Sequence, residues 1–102
     1  MSKQQSANLA IMAARFSALG HPIRLELLRV LVRAGEDGMT VGQILTLTGL
    51  AGSTQFHHMA ALMNAGLVET ERRGKEIVNR ARFEEIKGLG NYLMNDCCKG
   101  HH

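Results

Sequence analysis

Residues 40–66, TVGQILTLTGLAGSTQFHHMAALMNAG, decide how the rest of the chain is read. Thr40 is followed three residues later by Gln43, so its hydroxyl can accept from the Gln43 amide while the Gln43 side chain accepts from the Thr40 amide. Val41, Ile44, Leu45 and Leu47 give the helix opened by that cap an apolar side. Gly49 ends it, because glycine takes the left-handed conformation of a helix terminus without a side-chain clash. Leu50, Ala51 and Gly52 make a turn, and Ser53 or Thr54 can cap a second helix. That helix carries Phe56, Met59, Leu62 and Met63 toward one side. At about 100° per residue, Ser53, Thr54, His57, Ala61 and Asn64 fall on the other. Small hydrogen-bonding groups at the N-terminal end of such a face suit contact with base edges. Taken alone, the stretch fits either a DNA-binding helix-turn-helix or two core helices of a small bundle.

The downstream sequence favours the first reading. Gly66 closes the second helix, and Leu67-Val68-Glu69-Thr70-Glu71 alternates as a short strand. Arg72-Arg73-Gly74-Lys75 is a basic hairpin turn, and Ile77-Val78-Asn79-Arg80 the returning strand. A recognition helix followed by a hairpin with a cationic tip is a winged helix, and its tip charges suit phosphates or a minor groove.

Upstream, residues 4–19 form a first helix with Leu9, Met12, Phe16 and Leu19 on one stripe. Pro22 suits the first turn of a second helix, with Ile23, Leu27, Val30 and Leu31 inward. Gly35-Glu36-Asp37-Gly38 is a surface turn leading to Thr40. A last helix runs from about Phe83 to Cys98, with Ile86, Leu89 and Leu93 on one side. Gly88 and Gly90 weaken it by about 1 kcal/mol each relative to Ala, which close approach of another helix would offset. The first and last helices, 1–19 and 83–98, are therefore expected at a two-fold dimer interface, through Leu9, Met12, Phe16, Leu19, Leu89 and Leu93. The alternative is that they wrap a single protomer's core. The expected architecture is mainly α with a small β-hairpin, in the order α-α-α-α-β-β-α. It is one dimeric domain over 1–102, with the helix-turn-helix at 40–66 and the wing at 67–81.

Composition agrees with that plan. With 102 residues and 45% hydrophobic content the chain makes one domain with a modest core, and dimerisation would enlarge the buried surface. Three Phe, one Tyr and no Trp leave the core to aliphatic residues, which suits helices. The net charge of +3 is only mildly basic, but residues 38–68 are almost free of acidic side chains. No run approaches the roughly 18 to 20 apolar residues of a membrane span, and the N-terminus lacks a signal pattern. A soluble cytosolic protein is expected, with no membrane partner. The adjacent pair Cys97-Cys98 is a poor arrangement for a structural disulfide, which fits a reducing compartment. No catalytic grouping of Ser/His/Asp or Cys/His, paired-metal carboxylate set or phosphate-cradling loop is recognisable, so an enzyme is not expected.

The order of these pieces resembles the arsenic-repressor (ArsR) family of dimeric winged-helix repressors. The resemblance spans about residues 15–98. It rests on RFSALGHPIRLELLRVL, on TVGQILTLTGLAGSTQFHHMAALMNAGLV and on the ERRGKEIVNRARF wing in combination. It implies a homodimer on a double-stranded inverted-repeat operator, needing no cofactor to bind DNA and released by an inducer, often a metal or metalloid. Carried over by position, Ser53, Thr54, Gln55, His57 and His58 fall in the DNA-reading segment, and Arg72, Arg73 and Lys75 at the wing tip. Two positions depart from the family. Phe56 stands where a small polar residue is usual, and Gln55 where an apolar core residue is usual. Two rotations of the helix therefore stay open, one placing Phe56 in the core and one placing it against a thymine methyl.

The inducer site is less well matched. Residues 39–43 hold no cysteine, so the family's best-known metalloid site is absent, and residues 83–96 hold no histidine for a zinc site on the last helix. Cys97 and Cys98 resemble a branch of arsenite sensors whose last helix ends in a vicinal cysteine pair. Trivalent arsenic or antimony is the inducer this implies, although that branch carries a third cysteine and this chain has only two. Zinc or cadmium held by the cysteines with His101 and His102 is a rival, unless those histidines begin a purification tag. Thiol oxidation is another rival, and the remaining alternative is that the two cysteines have no ligand role at all. A protein-interaction module on the same fold, with Met59 and Met63 facing a partner, is the reading without DNA.

Overall fold

The computed structural model describes residues 2–96; Cys97, Cys98, His101 and His102, and with them the expected inducer site, lie outside the described residues. Helices α1 (Lys3–Leu19) and α2 (Pro22–Ala34) are followed by a 3-10 turn at Gly35–Asp37 and a short strand β1 (Met39–Thr40). Then come α3 (Val41–Thr48), α4 (Gly52–Asn64), β2 (Val68–Arg73), β3 (Glu76–Ala81) and α5 (Phe83–Asn91). A π-helical turn, Tyr92–Asp96, extends α5.

Local chemistry accounts for most of these boundaries. α1 opens on a reciprocal cap in which Ser2 Oγ accepts from Gln5 N at 3.1 Å and Gln5 Oε1 accepts from Ser2 N at 3.0 Å. Pro22 is the first residue of α2, and His21 Nδ1 caps it by accepting from Ile23 N. At α3 the expected Thr40–Gln43 capping box is present, at 3.1 and 2.9 Å. Gly49 ends α3 at φ 69°, ψ 10°, its N–H donating to Leu45 O.

The sheet has three antiparallel strands in the order β1-β3-β2. β1 pairs Met39 with Asn79 and Thr40 with Val78. This strand was not expected, since two residues carry no readable alternation. Gly38 brings it into place: a Cβ there would run into Asn79 O and Val78 Cγ1, and its φ of 69° is left-handed. The hairpin is also longer than its sequence suggested. Pairing continues to Arg73 opposite Glu76, so only Gly74 and Lys75 form the turn.

Leu27, Leu28, Leu31, Ile44, Met59, Leu62, Leu67, Val68, Ala81 and Leu89 form the buried core, with Met12, Phe16 and Leu19 packed against it. This corrects the expected dimer stripe at Leu89, which is 4% exposed and belongs to the protomer's own core. Met12, Phe16 and Leu19 are half-buried in the same way, whereas Leu9 and Leu93 are exposed. Leu47, expected on the apolar side of α3, is exposed as well. The expected last helix is shorter in regular form, ending at Asn91 before the π-helical turn. Among the described residues, nothing comes within 4 Å of a Cβ built at Gly88 or Gly90, so no described helix approaches them closely.

Arg15 ties three elements together beneath the helix-turn-helix. Its Nε donates to Ala65 O at the end of α4 at 2.9 Å, and its Nη1 donates to Glu85 Oε2 on α5 at 3.0 Å. A cation over the terminal carbonyls of α4 complements the negative end of that helix.

Candidate nucleic-acid interface

α4 does not begin as the sequence suggested. Its N-cap is Ala51, extended at φ −64°, ψ 146°, with no side-chain hydrogen bond, so neither Ser53 nor Thr54 caps it. The preceding turn explains the shift. Thr48 Oγ1 donates to Ile44 O and accepts from Leu50 N, which turns the chain early and starts the helix at Gly52. Ser53 and Thr54 consequently sit within the first turn, with no intramolecular side-chain hydrogen bond among the described residues. Their hydroxyls are left for an outside partner.

The rotation of α4 is also settled. Gln55, Met59 and Leu62 are the buried stripe, whereas Phe56 is 67% exposed. Gln55 therefore faces inward: it is 2% exposed, and its Nε2 donates to Val41 O at 3.4 Å. This corrects its assignment to the DNA-reading set. The outward face instead presents Ser53, Phe56 and His57, with Thr54 half-exposed and Phe56 and His57 in edge-to-face contact at 5.9 Å. Ring carbons of Phe56 on this face suit a thymine methyl, and the imidazole of His57 suits a base-edge acceptor or phosphate.

His58 is turned to the side of α4 that meets α2. Its Nδ1 accepts from Arg24 Nε at 3.3 Å, and its ring lies 4.4 Å from that of His21. Burial first, then the charges of His21, Arg24 and His57, hold its pKa below the ordinary imidazole value. His58 is thus tied to the α2 N-terminus rather than presented with His57. Sequence reading missed this cluster, although His21 and Arg24 both sit in the ALGHPIRL motif.

On the wing, Glu71 is held by two cations. Arg80 Nη2 donates to its Oε1 at 2.6 Å and Arg73 Nε to its Oε2 at 3.2 Å. The hydrogen bond from Arg80 and then that from Arg73 hold the Glu71 carboxyl below the usual carboxylate range. Arg73 is therefore partly neutralised. Arg72 and Lys75 are exposed with no ion pair among the described residues, and they supply the free positive charge of the tip.

The wing adjoins α4, since Phe56 and Met63 of α4 line one cavity with Thr70 of β2 and Ile77 of β3. A helix with an unspent polar face beside a cationic hairpin defines a winged helix-turn-helix of the DNA-binding class. Comparison with known proteins agrees. The helix-turn-helix domain family matches residues 19–71. The HTH-type transcriptional regulator YgaV of Escherichia coli is 32% identical over 93% of this chain and 92% of its own length. An ArsR-like transcriptional regulator from Rhodococcus superimposes with a TM-score of 0.81 at 26% identity, covering 93% of this chain and 87% of that one. A homodimeric winged helix-turn-helix DNA-binding domain from Mycobacterium bovis superimposes with a TM-score of 0.75 at 29% identity, covering 100% and 94%. The chain belongs to the ArsR family of winged helix-turn-helix transcriptional regulators. No helix among the described residues is long and apolar enough to cross a membrane.

Proposed function

We propose that the chain is a homodimeric transcriptional repressor that binds an inverted-repeat operator and lets go when a thiol-reactive inducer engages Cys97 and Cys98. The observation that carries the DNA half is the outward face of α4, where Ser53 and His57 are exposed, Thr54 is half-exposed and none of the three side chains makes a hydrogen bond among the described residues; the exposed Arg72 and Lys75 of the wing add positive charge. The homodimeric Mycobacterium bovis neighbour and the exposed Leu9, Ile11, Leu93 and Met94 of the terminal segments support the dimer. An inverted repeat with half-sites one duplex turn apart would ask such a dimer to present its two recognition helices about 34 Å apart.

The inducer half rests on the sequence. Cys97 and Cys98 are adjacent in the chain, and a soft ion can be held by two neighbouring thiolates. Trivalent arsenic or antimony is the best match to a vicinal thiol pair, with zinc, cadmium and oxidation as the competing inducers. The Arg15 link from Glu85 to Ala65 supports a route by which movement of α5 reaches the end of the recognition helix. A tenfold preference of the inducer for the released form weakens operator binding by about 1.4 kcal/mol per coupled site.

The test is a band-shift on the DNA upstream of the protein's own coding sequence, with arsenite, antimonite, cadmium, zinc and peroxide added in turn. Release by arsenite that is lost in Cys97→Ser and Cys98→Ser, and retained when His101 and His102 are deleted, is the expected result. Arsenite release that survives in the double serine variant contradicts the site. Dependence on the two histidines moves it to zinc-like ions.

A further inference from the structure

His58 of α4 and His21, which caps α2, are both half-buried, with their rings 4.4 Å apart. Their hydrogen bonds fix where each neutral ring carries its proton. His21 Nδ1 accepts from the Ile23 amide and His58 Nδ1 accepts from Arg24 Nε, and neither of those donors can act as an acceptor. The hydrogen of both rings therefore sits on Nε2, and each Nε2–H is a donor. Neither finds an acceptor among the described residues, and neither is sealed, because Gln55 Oε1 is the one buried side-chain nitrogen or oxygen there without a partner. Both donors thus reach solvent. Arg24 adds a third: its Nε goes to His58 and its Nη1 to Ala18 O, which leaves Nη2 uncommitted. The charges that act on His58 are those of His21, Arg24 and His57, with no carboxylate among them. The cluster offers donors and positive charge and no acceptor, so its complement is an anion.

We propose that His21 and His58, together with Arg24, grip one backbone phosphate of the duplex beside the bases that His57 meets. This rests on the reading of α4 as the recognition helix and adds contacts that its outward face does not contain. Among the acceptors on DNA, phosphate is the one the cluster fits. His58 is turned from the base-reading face toward α2, so base edges lie out of its line, whereas the backbone flanks a helix seated in the major groove. A phosphodiester has two unesterified oxygens, and rings 4.4 Å apart fall within the span of the two. Phosphate contacts carry no sequence information but fix the register and orientation of the reading helix. Here the two imidazoles stand on different elements, so holding one phosphate with both sets the angle at which His57 enters the groove. Arg24 has a second part in this, since by occupying His58 Nδ1 it keeps the hydrogen on Nε2.

The test is anisotropy titration of the full chain on the upstream inverted repeat and on a scrambled duplex. His58→Phe keeps a ring and removes the N–H. It weakens both duplexes alike, by about threefold to tenfold, unlike a base-reading change, which acts on the specific duplex alone. His21→Asp guards against a purely structural effect. Aspartate still caps α2, so the melting temperature holds or rises, while its carboxylate repels the phosphate and weakens both duplexes. On the inverted repeat, single phosphates are then replaced in turn by uncharged methylphosphonate. The wild type loses affinity at one flanking phosphate in each half-site, and His58→Phe is insensitive to replacement at that same phosphate. Wild-type affinity in His58→Phe or in His21→Asp, or a His58→Phe loss confined to the specific duplex, overturns the grip. So does a His58→Phe chain that stays as sensitive as the wild type to every replacement. A wild type that binds neither duplex overturns the repressor reading and the grip with it, whereas the other failures leave that reading standing.

Discussion

Gln55 and Phe56 are neighbours on α4 with opposite environments, one sealed against Val41 and the other two-thirds exposed. The sealed amide is a local cost. An apolar isostere that removes an unpaired buried acceptor is neutral to stabilising, so Gln55→Leu should raise the unfolding free energy by up to about 1 kcal/mol in urea denaturation. A loss of stability on that change means the amide is paired after all. His58 gives the residue-scale pH dependence. Its folded pKa is depressed, so as pH falls below the ordinary imidazole value the unfolded chain takes up a proton that the folded chain resists. Stability is therefore full above that value, declines as pH drops toward the lowered folded value, and levels off beneath it. His58→Phe should flatten the decline between neutral and mildly acidic pH; an unchanged slope assigns it to another group.

At the scale of the element, the wing separates its cations into held and free. Arg73 and Arg80 are engaged with Glu71, whereas Arg72 and Lys75 make no ion pair among the described residues. Arg72→Ala and Lys75→Ala should each lower the slope of log affinity against log salt by about 0.9, and Arg73→Ala by less. Equal slopes for all three would show that Glu71 releases Arg73 on DNA. The same scale shows what the sequence could reveal. The Thr40–Gln43 cap and the Gly49 stop are encoded within four residues and one residue, and both are present as read. The hairpin was readable from its alternation and its turn residues. β1 was not, because its two residues pair only once β3 has been brought alongside. The start of α4 was misread for a related reason: Ser53 and Thr54 are good caps by type, but the Thr48 side chain had already fixed the turn. Helix rotation was the deepest ambiguity. Phe56 and Gln55 satisfy the apolar period about equally well once a polar residue is allowed inward, and only packing against α3 decides between them.

For the whole molecule, the terminal helices supply part of the protomer's core as well as the proposed assembly surface, so a stripe read from spacing mixed the two. Phe16 packs on the core and Leu89 lies within it, so charge at either unfolds the protomer. Leu9 and Leu93 are exposed, so changing them tests the proposed assembly without touching the core. Leu9→Asp with Leu93→Asp should sediment as a folded monomer with weakened operator binding, whereas a dimer of undiminished operator affinity places the interface elsewhere.

The central claim is that the outward face of α4 reads DNA. It is tested most directly by anisotropy titration of wild type and His57→Ala on an inverted repeat from the upstream region, with a scrambled duplex of equal length beside it. The account predicts two protomers per specific duplex, a linear fall of log affinity with log salt, and a His57→Ala loss of about 1–3 kcal/mol on the specific duplex with little change on the scrambled one. Equal affinity of the wild type for both duplexes, or an undiminished specific affinity in His57→Ala, contradicts it.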